Sequence, residues 1–203
     1  MLPKFRKSCA GFTLIELLIV IAIIGVLMAL LFPAVGGAIN AAMNAKARND
    51  VVQIAVAVKA YQTEYGKSPV SSSGGDEATE GWFQGPETGS KNNSDVVRVL
   101  SGENFNGLNP RKIVFLETRP AKSAANPKDG VDSAGIFYDP WGTPYAIKID
   151  TEYDNWVEYY GQGSQENLRT TVIAVSFGKN KVQQDISKTS DKGQKVDDIA
   201  SFQ

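Results

Sequence analysis

The sequence predicts an α+β protein built on a long N-terminal helix. The first half of that helix is membrane-spanning, the second is amphipathic, and the second half packs on a small antiparallel sheet. Three observations predict this. Residues 17–35 are uncharged without interruption. Ala47, Val51, Ile54, Val58, Tyr61 and Tyr65 then recur at steps of three and four, the spacing of one helix face. Near the end of the chain, residues 145–150 alternate in polarity and residues 170–177 are β-branched and apolar, both marks of strands.

At about 1.5 Å per residue, the uncharged run nearly spans a hydrocarbon core of roughly 30 Å. It exceeds the ~7–15 apolar residues of a secretory signal. Lys4, Arg6 and Lys7 precede it with no acidic residue between them. The positive-inside rule therefore keeps the N-terminus cytoplasmic and exports the rest. A conventional signal peptide cut near Ala34-Val35-Gly36 is the competing reading, and the helical pattern running on past it weighs against that. Pro33 removes a backbone hydrogen bond and crowds the carbonyl of Ala29. Gly25, Gly36 and Gly37 weaken the same region. A kink or a locally unwound stretch is predicted between Gly25 and Gly37. Gly66 offers the C-cap, with Pro69 beyond it. Helix from Phe12 to Tyr65 would be about 80 Å long if straight. The expected organisation is a basic leader (1–11), a membrane and assembly half-helix (12–37), an amphipathic half-helix (38–66) and an α+β domain with long loops (67–203).

Composition excludes several functions. The chain of 203 residues has no His, which removes His-based triads and the commonest metal ligand. Its one Cys, Cys9, lies in the leader. Without residues 1–11 the chain keeps 18 basic against 22 acidic residues, a net charge of −4. That gives no reason to expect nucleic acid as a partner. No nucleophile motif or metal-ligand spacing stands out, and Gly161-Gln162-Gly163 is too short for a phosphate loop. The chain is predicted not to be an enzyme.

Within the C-terminal domain, residues 66–94 read as a long surface loop pinned by Trp82. Asp95–Leu100 reads as a short helix with Ser94 as N-cap and Gly102 as stop. Residues 113–116 read as a strand or extended segment, and 119–134 as loop. Asp139-Pro140-Trp141-Gly142 is a turn: Asp caps, Pro presets φ, and Gly permits positive φ. It would return Trp141 onto the helix face. Residues 198–202 would close the sheet as its last strand. Val52, Val56 and Ala60 form a second, smaller helix stripe, which either widens the core face or meets a neighbouring subunit.

Glu16 does not fit a plain anchor. A charge deep in the membrane costs on the order of 2.5–3.5 kcal/mol. Either the carboxylate snorkels to the headgroups or it awaits a positive partner. The stretch Gly11-Phe12-Thr13-Leu14-Ile15-Glu16-Leu17, behind a short basic leader and ahead of an uncharged helix, resembles the processing motif of type IV prepilins and pseudopilins. The resemblance implies a pilin-like lollipop fold. It also implies that a membrane prepilin peptidase cuts between Gly11 and Phe12 and N-methylates Phe12. The cut turns the Phe12 amide nitrogen into an ammonium. Opposite charges about 4 Å apart attract by roughly 4 kcal/mol at an effective dielectric near 20. An isolated subunit is expected to pair these groups only awkwardly. The amine of a neighbour shifted along the axis would answer Glu16 and set subunit register.

The Asp139-Pro140-Trp141-Gly142 turn resembles that of the major pseudopilin of type II secretion. This implies an inner-membrane filament subunit with a periplasmic domain, partnered by copies of itself, minor pseudopilins and an inner-membrane assembly platform. A type IV pilus pilin is the alternative, and the absence of a C-terminal Cys pair tells against it. The family's calcium loop precedes its last strand, and Asp197-Asp198-Ile199 matches the family ending. Gly178-Lys179-Asn180-Lys181 departs from the family pattern, with Asn for an acid and Lys for a Gly. Calcium wants six to eight oxygens, which a nearby lysine opposes. Asp197 and Asp198 are therefore either calcium ligands or solvated surface charges.

Overall fold

The computed structural model describes residues 12–70, 83–84, 91–161, 164–182 and 198–201. The chain divides into two compact units, Met1–Ala42 and Met43–Gln203. Helix α1, Leu14–Tyr65, begins in the first and ends in the second.

In the first unit, α1 is apolar all round and its described side chains are exposed. A helix with no polar face has no core of its own to bury against water, which suits lipid surroundings. Among the described residues it is the one helix long and apolar enough to cross a membrane. It is helical without interruption through Gly25, Pro33, Gly36 and Gly37. The locally unwound stretch offered as one expectation is therefore absent. A kink is not decided by this, because Pro removes only one hydrogen bond from an otherwise continuous ladder.

In the second unit, the predicted face of α1 is the core. Ala47, Val51, Ile54, Val58 and Tyr61 are fully buried, and Tyr65 packs at the edge of the same cluster. Ala55 and Ala57 are buried too and broaden the face beyond the predicted stripe. Val52 and Val56 are exposed, so the second stripe does not widen the core. Gly66 ends the helix in a left-handed conformation (φ +64°), its N–H donating to the Gln62 carbonyl at 2.8 Å.

Among the described residues, seven of the nine short strands lie in the main sheet or beside it. They are β1 (Phe83–Gln84), β2 (Lys91–Asn92), β3 (Gly130–Val131), β4 (Phe137–Tyr138), β5 (Ala146–Ile149), β8 (Val172–Ser176) and β9 (Ile199–Ala200). The main sheet has the order β2-β1-β5-β8-β9. It is antiparallel as predicted except that β1 and β2 run parallel. Strands β3 and β4 pair separately. The remaining strands, β6 (Val157–Gly161) and β7 (Ser164–Leu168), form a hairpin.

The alternation expected for residues 145–150 is not seen, because β5 is buried along its whole length, as is β8. The cause is that both sheet faces are covered. Ile147, Ile149, Val172 and Ala174 face the cluster built on α1. Ala146, Ile173 and Val175 face a second cluster with Val157, Phe177 and Ala200, against which Leu168 packs. A strand covered on both sides loses its polar face.

Helix α2 spans Asn93–Leu100, two residues longer than predicted at its start. Ser94 lies buried inside it and is not the cap; Asn92 stands at the N-cap without a side-chain bond. Gly102 follows the C-cap Ser101 with φ +96°, as a stop should. Residues 113–116 do not form a strand, and the N–H groups of Phe115 and Leu116 both donate to the Leu100 carbonyl. The expected loop 66–94 holds β1 and β2, and Trp82 lies outside the described residues.

Candidate processing and assembly site

The N-terminal site begins at Phe12, which is 80% exposed; Gly11 lies outside the described residues. Thr13 and Glu16 form a reciprocal cap on α1. The Thr13 N–H and hydroxyl donate to Glu16 Oε2 at 2.8 and 2.7 Å. The Glu16 N–H donates to Thr13 Oγ1 at 3.3 Å. This is a capping box, which satisfies backbone donors left over at a helix start. The Thr-x-x-Glu spacing is the signal that the sequence reading missed. Glu16 is therefore not an acid waiting bare at the apolar margin, because its own helix end already engages it.

The Asp139-Pro140-Trp141-Gly142 turn is organised by a buried carboxylate. Asp139 Oδ1 accepts from the N–H groups of Trp141 and Thr143 at 3.0 and 2.8 Å. Its Oδ2 accepts from the Ser176 hydroxyl at 2.8 Å, tying the turn to β8. The Gly142 N–H closes the turn onto the Asp139 carbonyl, with φ +88° at Gly142. Burial pushes the Asp139 carboxyl above its ordinary range, and the hydrogen bonds from Thr143, Ser176, Trp141 and Gly142 offset that only in part. Trp141 is half-buried against the cluster that contains the α1 face.

A charged cluster lies between α1 and the segment predicted to be plain loop, residues 119–134. Asp50, on the buried side of α1, is 2% exposed. Arg119 grips it bidentately, Nη1 to Oδ1 at 3.0 Å and Nη2 to Oδ2 at 2.6 Å. The Tyr145 hydroxyl donates to Asp50 Oδ2 at 2.7 Å. Arg119 also reaches Asp129, which Lys46 and Lys122 approach at 2.6 and 2.7 Å. Burial, with Asp50 adding to it, pushes the Tyr145 hydroxyl well above its ordinary range. Hydrogen bonding to Asp50 makes the Arg119 charge harder still to remove.

Burial opposes ionisation of Asp129, but hydrogen bonds from Lys122, Lys46 and Arg119 together prevail and bring it from 3.8 down to about 2. The sign of the linkage follows. A carboxylate depressed on folding contributes stability above its unfolded value and loses it as pH falls through the folded one. Acid titration should destabilise the second unit between those two values. Unfolding curves measured across that range should show a shallower loss in Asp129→Asn; an unchanged slope would rule Asp129 out as its source.

The residues proposed for calcium separate into two groups. Asp197 lies outside the described residues. Asp198 is 4% exposed at the start of β9, so the solvated-charge alternative is corrected for this residue. Asn180 Oδ1 accepts from the Val182 N–H at 2.8 Å and so serves its own turn. Among the described residues no group of three or more His, Cys, Asp or Glu is placed to hold a metal ion. The described donors do not supply the six to eight oxygens that calcium takes.

Residues 6–32 match the family model described as the prokaryotic N-terminal methylation motif. No curated protein and no solved structure matches the chain. The match covers the end of the basic N-terminal stretch and most of the apolar part of α1. The chain thus carries the signal of a type IV pilin-like precursor, the kind of substrate that a prepilin peptidase processes for pilus-like assembly. A long N-terminal helix with small, mainly antiparallel sheets is the pilin-like arrangement that such a signal implies. Its apolar half suits a single-pass anchor.

Proposed function

We propose that this chain is a structural subunit, not an enzyme, of a type II secretion pseudopilus. The precursor inserts into the bacterial inner membrane with its N-terminus cytoplasmic and the unit Met43–Gln203 periplasmic. Prepilin peptidase cuts between Gly11 and Phe12 and methylates the Phe12 amine. Copies of the mature chain then assemble into a filament anchored in that membrane, with minor pseudopilins and an inner-membrane platform as partners. The observation that carries this reading is the methylation motif over residues 6–32, with Phe12 exposed and Glu16 at the head of an apolar helix. The Asp139-Pro140-Trp141-Gly142 turn, seated on a buried carboxylate, supports a pseudopilin within that class.

Two measurements test it. Mass spectrometry of the native chain should find an N-terminus at methylated Phe12. A chain beginning at Met1, or trimmed near Gly36, would defeat the precursor reading. Deleting the gene should trap secreted enzymes in the periplasm. Intact secretion with loss of surface fibres would assign the chain to a type IV pilus instead.

A further inference from the structure

We propose that Lys46, Lys122 and Lys128 form a basic patch that binds anionic phospholipid headgroups at the membrane surface. The inference rests on the reading of α1 as a membrane anchor and adds what the charged cluster beside it binds. Residues 118–128 hold Arg119, Lys122 and Lys128 and no acid, in a chain that is otherwise acidic. The Lys122 N–H donates to the Lys128 carbonyl at 3.1 Å and closes this segment into a loop. Asp129, 4% exposed, organises the patch. Its Oδ2 accepts from the ammoniums of Lys46 and Lys122 at 2.6 and 2.7 Å, and its Oδ1 from Arg119 at 2.7 Å. One carboxylate thus answers three cations, although Asp50 shares Arg119 with it. Each ammonium carries three donors. The Lys46 and Lys122 side chains are 37% and 73% exposed, so donors remain open to a phosphate oxygen. Position along α1 favours a lipid as the source of that phosphate. Residues 17–45 carry no charge, and Lys46 is the first charged residue after Glu16. At about 1.5 Å per residue that run is about 44 Å long. A bilayer with its headgroup layers is about 40–45 Å thick. An uncharged helical run of that length that starts at one headgroup layer ends at the other, which puts Lys46 among phosphates.

The experiment places the full chain in nanodiscs, one set of phosphatidylcholine alone and one of phosphatidylcholine mixed equally with phosphatidylglycerol. A limiting amount of an amine-acylating reagent is added, and peptide mass spectrometry reads the rate at each lysine. Lys59 is exposed and lies about 20 Å further along α1, beyond the Debye length of roughly 8–10 Å, and serves as the internal reference. Phosphatidylglycerol is expected to slow Lys46, Lys122 and Lys128 about fivefold relative to Lys59, and molar salt to restore them. The double variant Lys122→Gln with Lys128→Gln should remove most of the slowing at Lys46, whose own bond to Asp129 is left in place. Equal rates in the two discs overturn the inference, and so does full slowing of Lys46 in the double variant. Slowing of Lys59 by the same factor also overturns it, because that is a general effect of a negative surface. Inorganic phosphate added to phosphatidylcholine discs should leave the rates unchanged; equal slowing there would make the patch a site for free anions and not for lipid. Slowing that follows the number of chains per disc and not the lipid would assign the patch to a second copy and overturn the inference too. A chain that does not enter the discs overturns the anchor reading and this inference with it.

Discussion

Replacing Arg119 by alanine is expected to remove about 3 kcal/mol from the stability of the second unit. Taking one partner from a buried ion pair costs about 3–5 kcal/mol, because the remaining charge stays in a low-dielectric site without compensation. Asp50 is that remaining charge, and the Tyr145 hydroxyl would still donate to it. One neutral donor cannot replace a bidentate guanidinium. The lower end of the range applies because the Arg119 side chain is 34% exposed and water can enter its place. Its guanidinium also lies 5.7 Å from the Phe137 ring centre, a cation–π attraction that alanine removes as well. Stabilities of about 5–15 kcal/mol are usual for whole domains, so this single change is a large part of the total. Denaturant unfolding of the full chain in detergent, followed by tryptophan fluorescence, measures it. The double variant Asp50→Asn with Arg119→Met should recover much of the loss, since removing both charges leaves none stranded. A loss below about 1 kcal/mol in Arg119→Ala would mean that solvent already screens the pair.

That cluster also shows where sequence reasoning stops. The steps of three and four from Ala47 to Tyr65 were legible because a helix face depends only on near neighbours. Gly66 and Gly102 were legible as stops for the same local reason. Asp50 sat in view between Ala47 and Ile54, on the side of the helix that the pattern buries. A carboxylate there needs a partner, since burying it alone is costly. Nothing local named Arg119, 69 positions away in a stretch whose composition reads as loop. Strand β5 failed differently. Its alternation implied one wet face, and only the arrival of the β6–β7 hairpin on the second face dries it. At the N-terminus the Gly11-Phe12 and Glu16 pattern was legible as a processing signal. The cap was equally local, since Thr13 and Glu16 stand at the Thr-x-x-Glu spacing of a capping box.

Asn93 offers the second large effect, and it separates hydrogen bonding from volume. The side chain is fully buried where α2 meets β4 and β5. Its Nδ2 donates to the carbonyls of Phe137 and Tyr145 at 3.0 and 2.9 Å, and its Oδ1 accepts from the Phe137 N–H at 3.1 Å. The Phe137 carbonyl has a second donor, the Tyr145 N–H, and keeps it in a variant. The Phe137 N–H and the Tyr145 carbonyl lose their Asn93 bonds. Each buried group stranded in this way costs about 1–3 kcal/mol, so Asn93→Ala should lose roughly 2–6 kcal/mol. Asn93→Asp tests the cause, because it has nearly the same volume and keeps an acceptor for the Phe137 N–H. It replaces the donor by oxygen, however, and sets that oxygen against two carbonyls. If hydrogen bonding governs the site, Asn93→Asp is at least as damaging as Asn93→Ala in the same unfolding measurement. If packing governs it, the isosteric aspartate is nearly harmless and alanine alone destabilises, because a cavity is then the only defect.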